Sequence, residues 1–152
     1  MDEQSIAVRQ ATIFDLDRIV PLFDRYRQFY RKPSDLDLAR RFLRDRFKHN
    51  QSIILLATHR DGAAAGFAQL FPSFSSASAA RILILNDLFV LPEVRRTGVG
   101  SQLLAAAAEF GRAMGAVRLT LATEVTNEAA QALYEGAGWK RQTDFYVYNF
   151  SL

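Results

Sequence analysis

The chain has 152 residues and a net charge of +3, and 49% of its residues are hydrophobic. This balance and length predict one soluble globular domain over residues 1–152, and no apolar run approaches the roughly 20 residues of a membrane-spanning helix. The absence of cysteine excludes disulfides and thiolate nucleophiles, and the acidic opening does not resemble a secretory signal, so we expect a cytoplasmic protein.

The first part of the chain predicts a strand followed by two helices. Apolar and polar residues alternate over Ile6–Gln10, which favours a strand. Thr12 and Asp15 resemble a capping box that opens a helix running towards Tyr30, and Pro21 should kink or split that helix. A second cap of this kind is predicted at Ser34 and Asp37, before a helical stripe formed by Leu36, Ala39, Leu43 and Phe47. The arginines between Arg25 and Arg46 are interpreted as the solvated face of these helices.

Strands and two further helices are predicted in the remainder. The strands are Ser52–Thr58, Ala64–Phe71, Ile82–Leu91, Val117–Ala122 and the aromatic segment Phe145–Phe150, with a loop at Ser73–Ala80. The helices are an amphipathic one formed by Val99, Leu103, Ala107, Phe110 and Met114 and closed by Gly115, and a short one over about Asn127–Glu135. The order is β-α-α-β-β-β-α-β-α-β, which predicts an α/β fold with a mixed sheet and helices on both faces.

A glycine-containing turn lies between the third long strand and the amphipathic helix. Gly98 and Gly100 there favour backbone N–H groups at the positive end of a helix, and Arg95 and Arg96 add positive charge. Such a turn suits a pyrophosphate. The dinucleotide fingerprint fails because Leu103 stands at its third glycine position, and the phosphate loop of nucleotide hydrolases is absent. A plain tight turn remains the alternative.

Several motifs together resemble the GNAT superfamily of acetyltransferases. Arg95, Gly98 and Gly100 match its R/Q-x-x-G-x-G/A signature, and the strand ending in Asp87–Val90 resembles its fourth strand. Downstream, the N-x-x-A-x-x-L-Y pattern runs from Asn127 to Tyr134 and is followed by a Gly–Trp pair. The resemblance implies one GNAT-like domain with a twisted, mostly antiparallel sheet of six to seven strands, about four helices, and a splayed strand pair that forms an acyl-CoA slot.

The resemblance also implies how acetyl-CoA would be held. Leu88 and Val90, on either side of Phe89, would offer backbone groups to the pantetheine arm, in a strand that often carries a β-bulge. Asn127 would bind the pantetheine or help to position the last helix. The pyrophosphate would be bound by the N–H groups of Arg96, Thr97, Gly98, Val99, Gly100 and Ser101. Arg96 stands where many relatives have glycine.

The chemistry that follows is a direct attack of a primary amine on the thioester. The resemblance makes Tyr134 the candidate acid for the departing sulfur, with simple packing as the alternative role. Asp87 is the candidate base, with Glu124 as its rival. A backbone N–H of Phe89 or Val90 would polarise the thioester carbonyl.

The acceptor is an amine of a small molecule or peptide that the sequence does not identify. Aromatic residues of the early helices and the Ser73–Ala80 loop are candidates for its pocket, although an aromatic stripe is more often core. These residues are Tyr26, Phe29, Tyr30, Phe71 and Phe74.

Other partners and functions are less well supported by the sequence. His49 and His59 have no partner at metal-ligand spacing, so no metal is expected. No membrane association and no nucleic-acid partner are expected, since the arginines form no recognisable recognition motif. A homodimer is implied by the family alone. The alternative function is a catalytically silent acyl-CoA-binding module.

Overall fold

A computed structural model describes residues 5–152 of the protein. The acidic opening that argued against a secretory signal begins in residues 1–4, which lie outside the described part. The chain forms two compact units, one ending at Ala122 and the other comprising Thr123–Leu152. Each unit is described by itself.

The first unit is built on one sheet with three α-helices. Its strands are β1 (Ile6–Gln10), β2 (Ile53–His59), β3 (Ala64–Ser75), β4 (Ala80–Val90) and β5 (Leu119–Thr120), and its helices are α1 (Leu16–Phe29), α2 (Leu36–Lys48) and α3 (Val99–Ala113). The strands lie in the order β1-β2-β3-β4-β5, antiparallel except for the parallel pair β4–β5. The second unit contains α4 (Glu128–Gly136).

The sheet has five strands within residues 5–152, so the prediction of six to seven strands is wrong for this part of the chain. The predicted strand Phe145–Phe150 is absent, and its aromatic side chains are exposed. A segment with alternating side chains forms a strand only if a neighbouring strand offers hydrogen-bond partners, and Phe145–Phe150 pairs with no strand of the described residues. The predicted strand Val117–Ala122 shortens to Leu119–Thr120, the two residues in register with β4, although Val117 and Arg118 also form backbone hydrogen bonds with β4. The predicted loop Ser73–Ala80 narrows to a turn, since β3 continues to Ser75.

The capping box predicted before α1 is confirmed. The Thr12 hydroxyl accepts from the N–H of Phe14, and the Thr12 N–H donates to Asp15 at 2.9 Å. The Arg9 guanidinium donates to both carboxylate oxygens of Asp15 at 2.6 and 2.8 Å and lowers the pKa of that carboxyl to about 2. The start of α1 is thereby fixed to β1, and a short 3-10 turn precedes the helix.

The predicted split at Pro21 is wrong, because α1 is continuous from Leu16 to Phe29. Pro21 removes the hydrogen bond to the carbonyl of Asp17. Both residues lie on the exposed side of the helix, where solvent can satisfy that carbonyl. The helix therefore tolerates the proline.

A buried carboxylate joins α1 to the segment that leads into α2. Asp24 accepts hydrogen bonds from the Ser34 hydroxyl at 2.6 Å, the Asp35 N–H at 2.8 Å and the Gln28 amide at 3.0 Å. The predicted cap at Ser34 is therefore displaced by one residue: Asp35 caps α2 by accepting from the N–H of Leu38. This arrangement fixes the angle at which the two helices meet above the sheet.

The alternating side chains of the central strands divide between two faces of the sheet. One face packs against α1 and α2 through the apolar residues Ile54, Leu56, Phe67 and Phe89. The opposite side chains meet α3, where Gly111 approaches Leu83 closely enough that an added Cβ would lie 3.6 Å from it. Helices therefore cover both faces, as predicted.

Candidate active site

A β-bulge in β4 turns Asp87 towards the helices α1 and α2. Gln69 of β3 pairs with Asp87 whereas the next residue, Leu70, pairs with Leu85, so Asn86 is an extra residue in β4. Without this extra residue, strand alternation would place Asp87 on the same face as Leu85, towards α3. The bulge instead places Asp87 on the face of Phe67 and Phe89. The bulge expected from the family resemblance is thus present, and it positions a carboxylate.

Asp87 is held by polar neighbours although it is only 2% exposed. Its carboxylate accepts hydrogen bonds from the side-chain amides of Gln69 and Asn86. Burial raises the pKa of Asp87 above its usual range, although hydrogen bonds from Asn86, Gln69 and Tyr26 oppose the rise. A carboxylate with a raised pKa is a better proton acceptor than an exposed one.

The hydrogen-bond network around Asp87 extends from the sheet to α1. Gln69 is fully buried and accepts from the Ser52 hydroxyl at 2.9 Å. On the other side, the Tyr26 hydroxyl donates to the backbone carbonyl of Asn86 at 3.2 Å. Burial, and next the charge of Asp87, raises the pKa of Tyr26, so this phenol stays protonated at neutral pH. The network fixes the orientation of Asp87 before any substrate arrives.

Asp87 forms part of the wall of a cavity of about 430 Å³ between α1, α2 and the sheet. Six of the lining residues are aromatic or aliphatic, and five are polar or charged. The lining residues are Phe23, Tyr26, Arg27, Tyr30, Lys32, Leu38, Phe42, Gln69, Phe71, Asn86 and Asp87.

The aromatic residues considered for an acceptor pocket divide into two groups. Tyr26, Tyr30 and Phe71 line the cavity. Phe29 is 50% exposed and Phe74 is 71% exposed, and neither lines it. The turn after β3 also lies outside the lining. Phe74 belongs to the end of the long β3–β4 hairpin, beyond the part that α1 and α2 cover.

The outer edge of β4 is open beside the bulge. β5 pairs with β4 only at Leu83 and Ile84. Beyond that point, the Leu91 N–H donates to Ala65 of β3, whereas the Val90 carbonyl accepts from Arg95. Because the backbone groups of successive residues point to opposite sides of a strand, those of Leu88 and Val90 face away from β3. The sequence suggested the backbone N–H of Phe89 or of Val90 as the group that would polarise a thioester carbonyl. The Phe89 N–H faces β3 and its ring is in the core, so of these two only the Val90 N–H faces the outer edge.

The turn after β4 has the conformation that the sequence suggested. Arg96 has φ of +63° and Gly98 has φ of +90°, both in the left-handed region. Glycine is favoured there, so Arg96 holds a backbone conformation that residues with a side chain seldom adopt. Gly98 then begins α3 without a side-chain cap, so the first N–H groups of the helix have no intrahelical acceptor. The Arg95 guanidinium donates to the Val90 carbonyl at 3.0 Å and so braces the turn against β4.

The remaining candidates lie in the second unit. Asn127 caps α4 by accepting from the Ala130 N–H at 3.1 Å, which supports the helix-positioning alternative for this residue. Tyr134 lies in α4, and its ring centroid is 6.1 Å from that of Trp139. The backbone N–H of Trp139 donates to the backbone carbonyl of Tyr134. The carbonyl of Glu124 accepts from the Gln131 amide.

Sequence reasoning missed four polar residues of the cavity: Arg27, Lys32, Gln69 and Asn86. Gln69 is a lone polar residue in the apolar run of β3, and that isolation is a usable signal. Arg27 was assigned to a solvated helix face, but it is half-buried and lines the cavity. Its spacing of four residues from Phe23 and three from Tyr30 places it on the inward stripe of α1.

Within residues 5–152, no group of three or more His, Asp or Glu side chains is arranged to hold a metal ion. Among the helices of this part of the chain, none combines the length and hydrophobicity needed to span a bilayer.

Comparison with known proteins agrees with this geometry. Residues 16–139 match the family model described as "Acetyltransferase (GNAT) family". The Bacillus subtilis (strain 168) protein named "Uncharacterized N-acetyltransferase YhfO" is 48% identical over 93% of this chain and 94% of its own. A crystal structure of a probable acetyltransferase has 40% identity and a TM-score of 0.91, covering 96% of this chain and 97% of that one.

A second similar structure is that of the aminoglycoside N-acetyltransferase AAC(6')-Iy in complex with CoA. It has a TM-score of 0.83 at 20% identity and covers 97% of this chain and 96% of its own. At this identity the likeness concerns the fold. The family match and the close relative show that the chain belongs to the GNAT family and is an N-acetyltransferase.

Proposed function

We propose that the protein transfers the acetyl group of acetyl-CoA to a primary amine that occupies the cavity beside Asp87. The observation that carries this proposal is the bulge at Asn86. It points a buried carboxylate into an aromatic cavity on the strand whose outer edge is open. We further propose that residues 1–152 act as one N-acetyltransferase domain, since the family match spans both compact units.

The open edge of β4 and the following turn fit the two parts of CoA. The backbone groups of Leu88 and Val90 have no strand partner on that side and suit the amides of pantetheine. The turn from Arg95 to Ser101 exposes N–H groups at the start of α3 beside two arginines, which suits a pyrophosphate. Asn127 would contribute by capping α4 and so positioning that helix. The structurally similar aminoglycoside acetyltransferase binds CoA, which supports the same ligand here.

The family resemblance assigns the two proton transfers to Asp87 and Tyr134. The amine must lose a proton, since an alkylammonium has a pKa of about 10.4, and Asp87 accepts that proton directly or through water. The amine nitrogen forms a bond to the thioester carbonyl carbon while the Val90 N–H polarises the oxygen. The carbon–sulfur bond breaks, and the Tyr134 hydroxyl donates a proton to the departing sulfur. The products are the N-acetylated amine and CoA thiol.

The acceptor is proposed to be a small molecule or a peptide amine. The cavity volume of about 430 Å³ is within the range of small-molecule sites. A homodimer is proposed on family grounds alone.

Thermal unfolding with acetyl-CoA tests the cofactor. A ligand at about 100 times its dissociation constant adds roughly 2.7 kcal/mol of stability, which raises the Tm of a domain of this size by about 5–10 °C. We expect this rise with acetyl-CoA and a much smaller one with ATP or NAD. Equal Tm values with and without millimolar acetyl-CoA would refute the proposed cofactor.

Replacing the proposed acid tests the role of Tyr134. Tyr134→Phe removes only the hydroxyl, so we expect kcat to fall by about 10²- to 10⁴-fold while the Kd of acetyl-CoA changes little. Tyr148→Phe is the matched control, because Tyr148 is 89% exposed. Steady-state release of CoA thiol is the measurement, and the protein itself has no cysteine to interfere. An unchanged kcat would remove Tyr134 from the mechanism.

A further inference from the structure

The cavity beside Asp87 is bordered by a half-buried cationic side chain, Arg27, with one donor atom that no described residue engages. The Nη1 atom of Arg27 is inaccessible to solvent and has no hydrogen-bond partner among the described residues. A buried, charged donor without an acceptor is rare in folded proteins and costs more than a neutral one. Arg44 Nε and Arg46 Nε share this property outside the lining, so what sets Arg27 apart is that its side chain borders the cavity, where a ligand can supply an acceptor.

The nearest carboxylate does not fulfil this role. Asp24 lies close enough for the charge of Arg27 to lower its pKa, but its oxygens already accept from Gln28, Ser34 and Asp35. No ion pair within 4 Å joins Asp24 to Arg27 in the described part of the chain. Asp24 is thus engaged in holding α1 to the segment before α2.

A second cation stands beside the first. Lys32 is exposed and lines the same cavity, and its backbone N–H donates to the Arg27 carbonyl at 3.0 Å just beyond the end of α1. The lining therefore has two cations on the helix side and one carboxylate, Asp87, on the strand side. A polycation would meet unfavourable charges on the helix side. An amine that also carries an acid would be complemented at both ends.

We propose that the acceptor is a small zwitterion, whose amine faces Asp87 and whose carboxylate or phosphonate is bound by Arg27 and Lys32. This inference rests on the proposed acetyl transfer, since it assigns the substrate class of the same site. It separates this protein from the aminoglycoside acetyltransferase to which its fold is similar, because aminoglycosides carry several amines and no acid.

The test compares four classes of amine at several matched chain lengths. They are n-alkylamines, ω-amino acids, ω-aminoalkylphosphonates and α,ω-diamines. We expect kcat/KM at the best length to be about 10- to 100-fold higher for an acid-bearing amine than for the alkylamine, the range of a charged hydrogen bond. The diamine should be the poorest substrate. Comparison of carboxylates with phosphonates identifies the acid.

Substitution of Arg27 makes the test specific. In Arg27→Gln the ratio of kcat/KM for acid-bearing amines to kcat/KM for the alkylamine should fall towards one, and Arg27→Lys should restore part of that ratio. Arg41→Gln is the matched control: it removes the same charge from an exposed position of α2 and should leave the preference intact.

Calorimetric binding of the same amines in the presence of CoA distinguishes the two proposals. Selective binding of the acid-bearing amines without release of CoA thiol would support the zwitterion site and contradict the acetyl transfer. Thiol release with equal efficiency for all classes, a best diamine substrate, or a preference that survives Arg27→Gln would overturn the zwitterion site alone. No binding of any amine class would also overturn it.

Discussion

At the scale of single residues, the candidate site depends on a carboxylate kept in an unfavourable place. Asp87 is nearly inaccessible to solvent and is stabilised by hydrogen bonds from neutral amides rather than by an ion pair. Neutral donors only partly replace the hydration that an ionised carboxylate loses on burial. A carboxylate buried in this way lowers the stability of the fold and is itself a stronger proton acceptor. This combination is typical of active sites.

The difference in stability between Asp87→Asn and the native protein should therefore depend on pH. Because the folded-state pKa of Asp87 is raised, its favourable contribution is present below the ordinary carboxyl pKa of about 3.9 and is lost as pH rises through the raised value. We expect the free energy of unfolding of the variant to exceed that of the native protein by about 1–2 kcal/mol at pH 8 and by less near pH 4.

Urea unfolding at both pH values measures this difference. Asp17→Asn is the control, since Asp17 is exposed and its pair with Arg40 is on the surface. A variant less stable than the native protein at pH 8 would show that the ionised carboxylate stabilises the fold, contrary to our account.

At the scale of secondary-structure elements, the close approach of β3 to β4 beside the cofactor edge requires a glycine. A Cβ on Gly66 would lie 2.7 Å from the Phe89 carbonyl oxygen and 3.2 Å from the Val90 Cα. Both are backbone atoms, which cannot move aside without distorting the strand that carries the proposed CoA contacts.

Gly66→Ala should therefore lower the free energy of unfolding by about 1–3 kcal/mol, the usual cost of overpacking, and weaken acetyl-CoA binding. Gly136→Ala is the matched control, because an added Cβ there meets nothing within 4 Å and its φ is not positive. It should be neutral or slightly stabilising. Denaturant unfolding and acetyl-CoA titration of both variants are the measurements. Equal stability of the two variants would mean that the β3–β4 contact relaxes freely.

The elements that the sequence predicted well are those with a local cause. The capping box at Thr12, the amphipathic stripe of α3 and the β2–β3 hairpin each arise from residues near one another in the chain. The strand predicted at Phe145–Phe150 is absent because strand formation depends on a partner, which alternation alone cannot supply.

The candidate site was predicted less completely for a similar reason. The resemblance identified β4, its bulge and the turn, but the position of the bulge is a property of the pairing with β3, where Gln69 meets Asp87. The burial of Arg27 depends on how α1 lies over the sheet, so a stretch rich in arginine appeared solvated. Roles that depend on tertiary contacts become visible only in the fold.

At the scale of the whole molecule, four of the positively charged side chains lie where anions are proposed to bind. Two arginines flank the turn before α3, and Arg27 and Lys32 line the acceptor cavity. The net charge of +3 fits partners of this kind, a pyrophosphate and an acid-bearing amine.

Amine-dependent release of CoA thiol by the native protein and by Asp87→Asn tests the central claim most directly. The claim is that Asp87 accepts the proton of an amine that attacks acetyl-CoA. We expect the native protein to release thiol only when an acceptor amine is present. In the variant, kcat should fall by about 10²- to 10⁴-fold, while the Kd of acetyl-CoA stays within about twofold of the native value. Full activity in Asp87→Asn would contradict the claim and remove Asp87 from the mechanism.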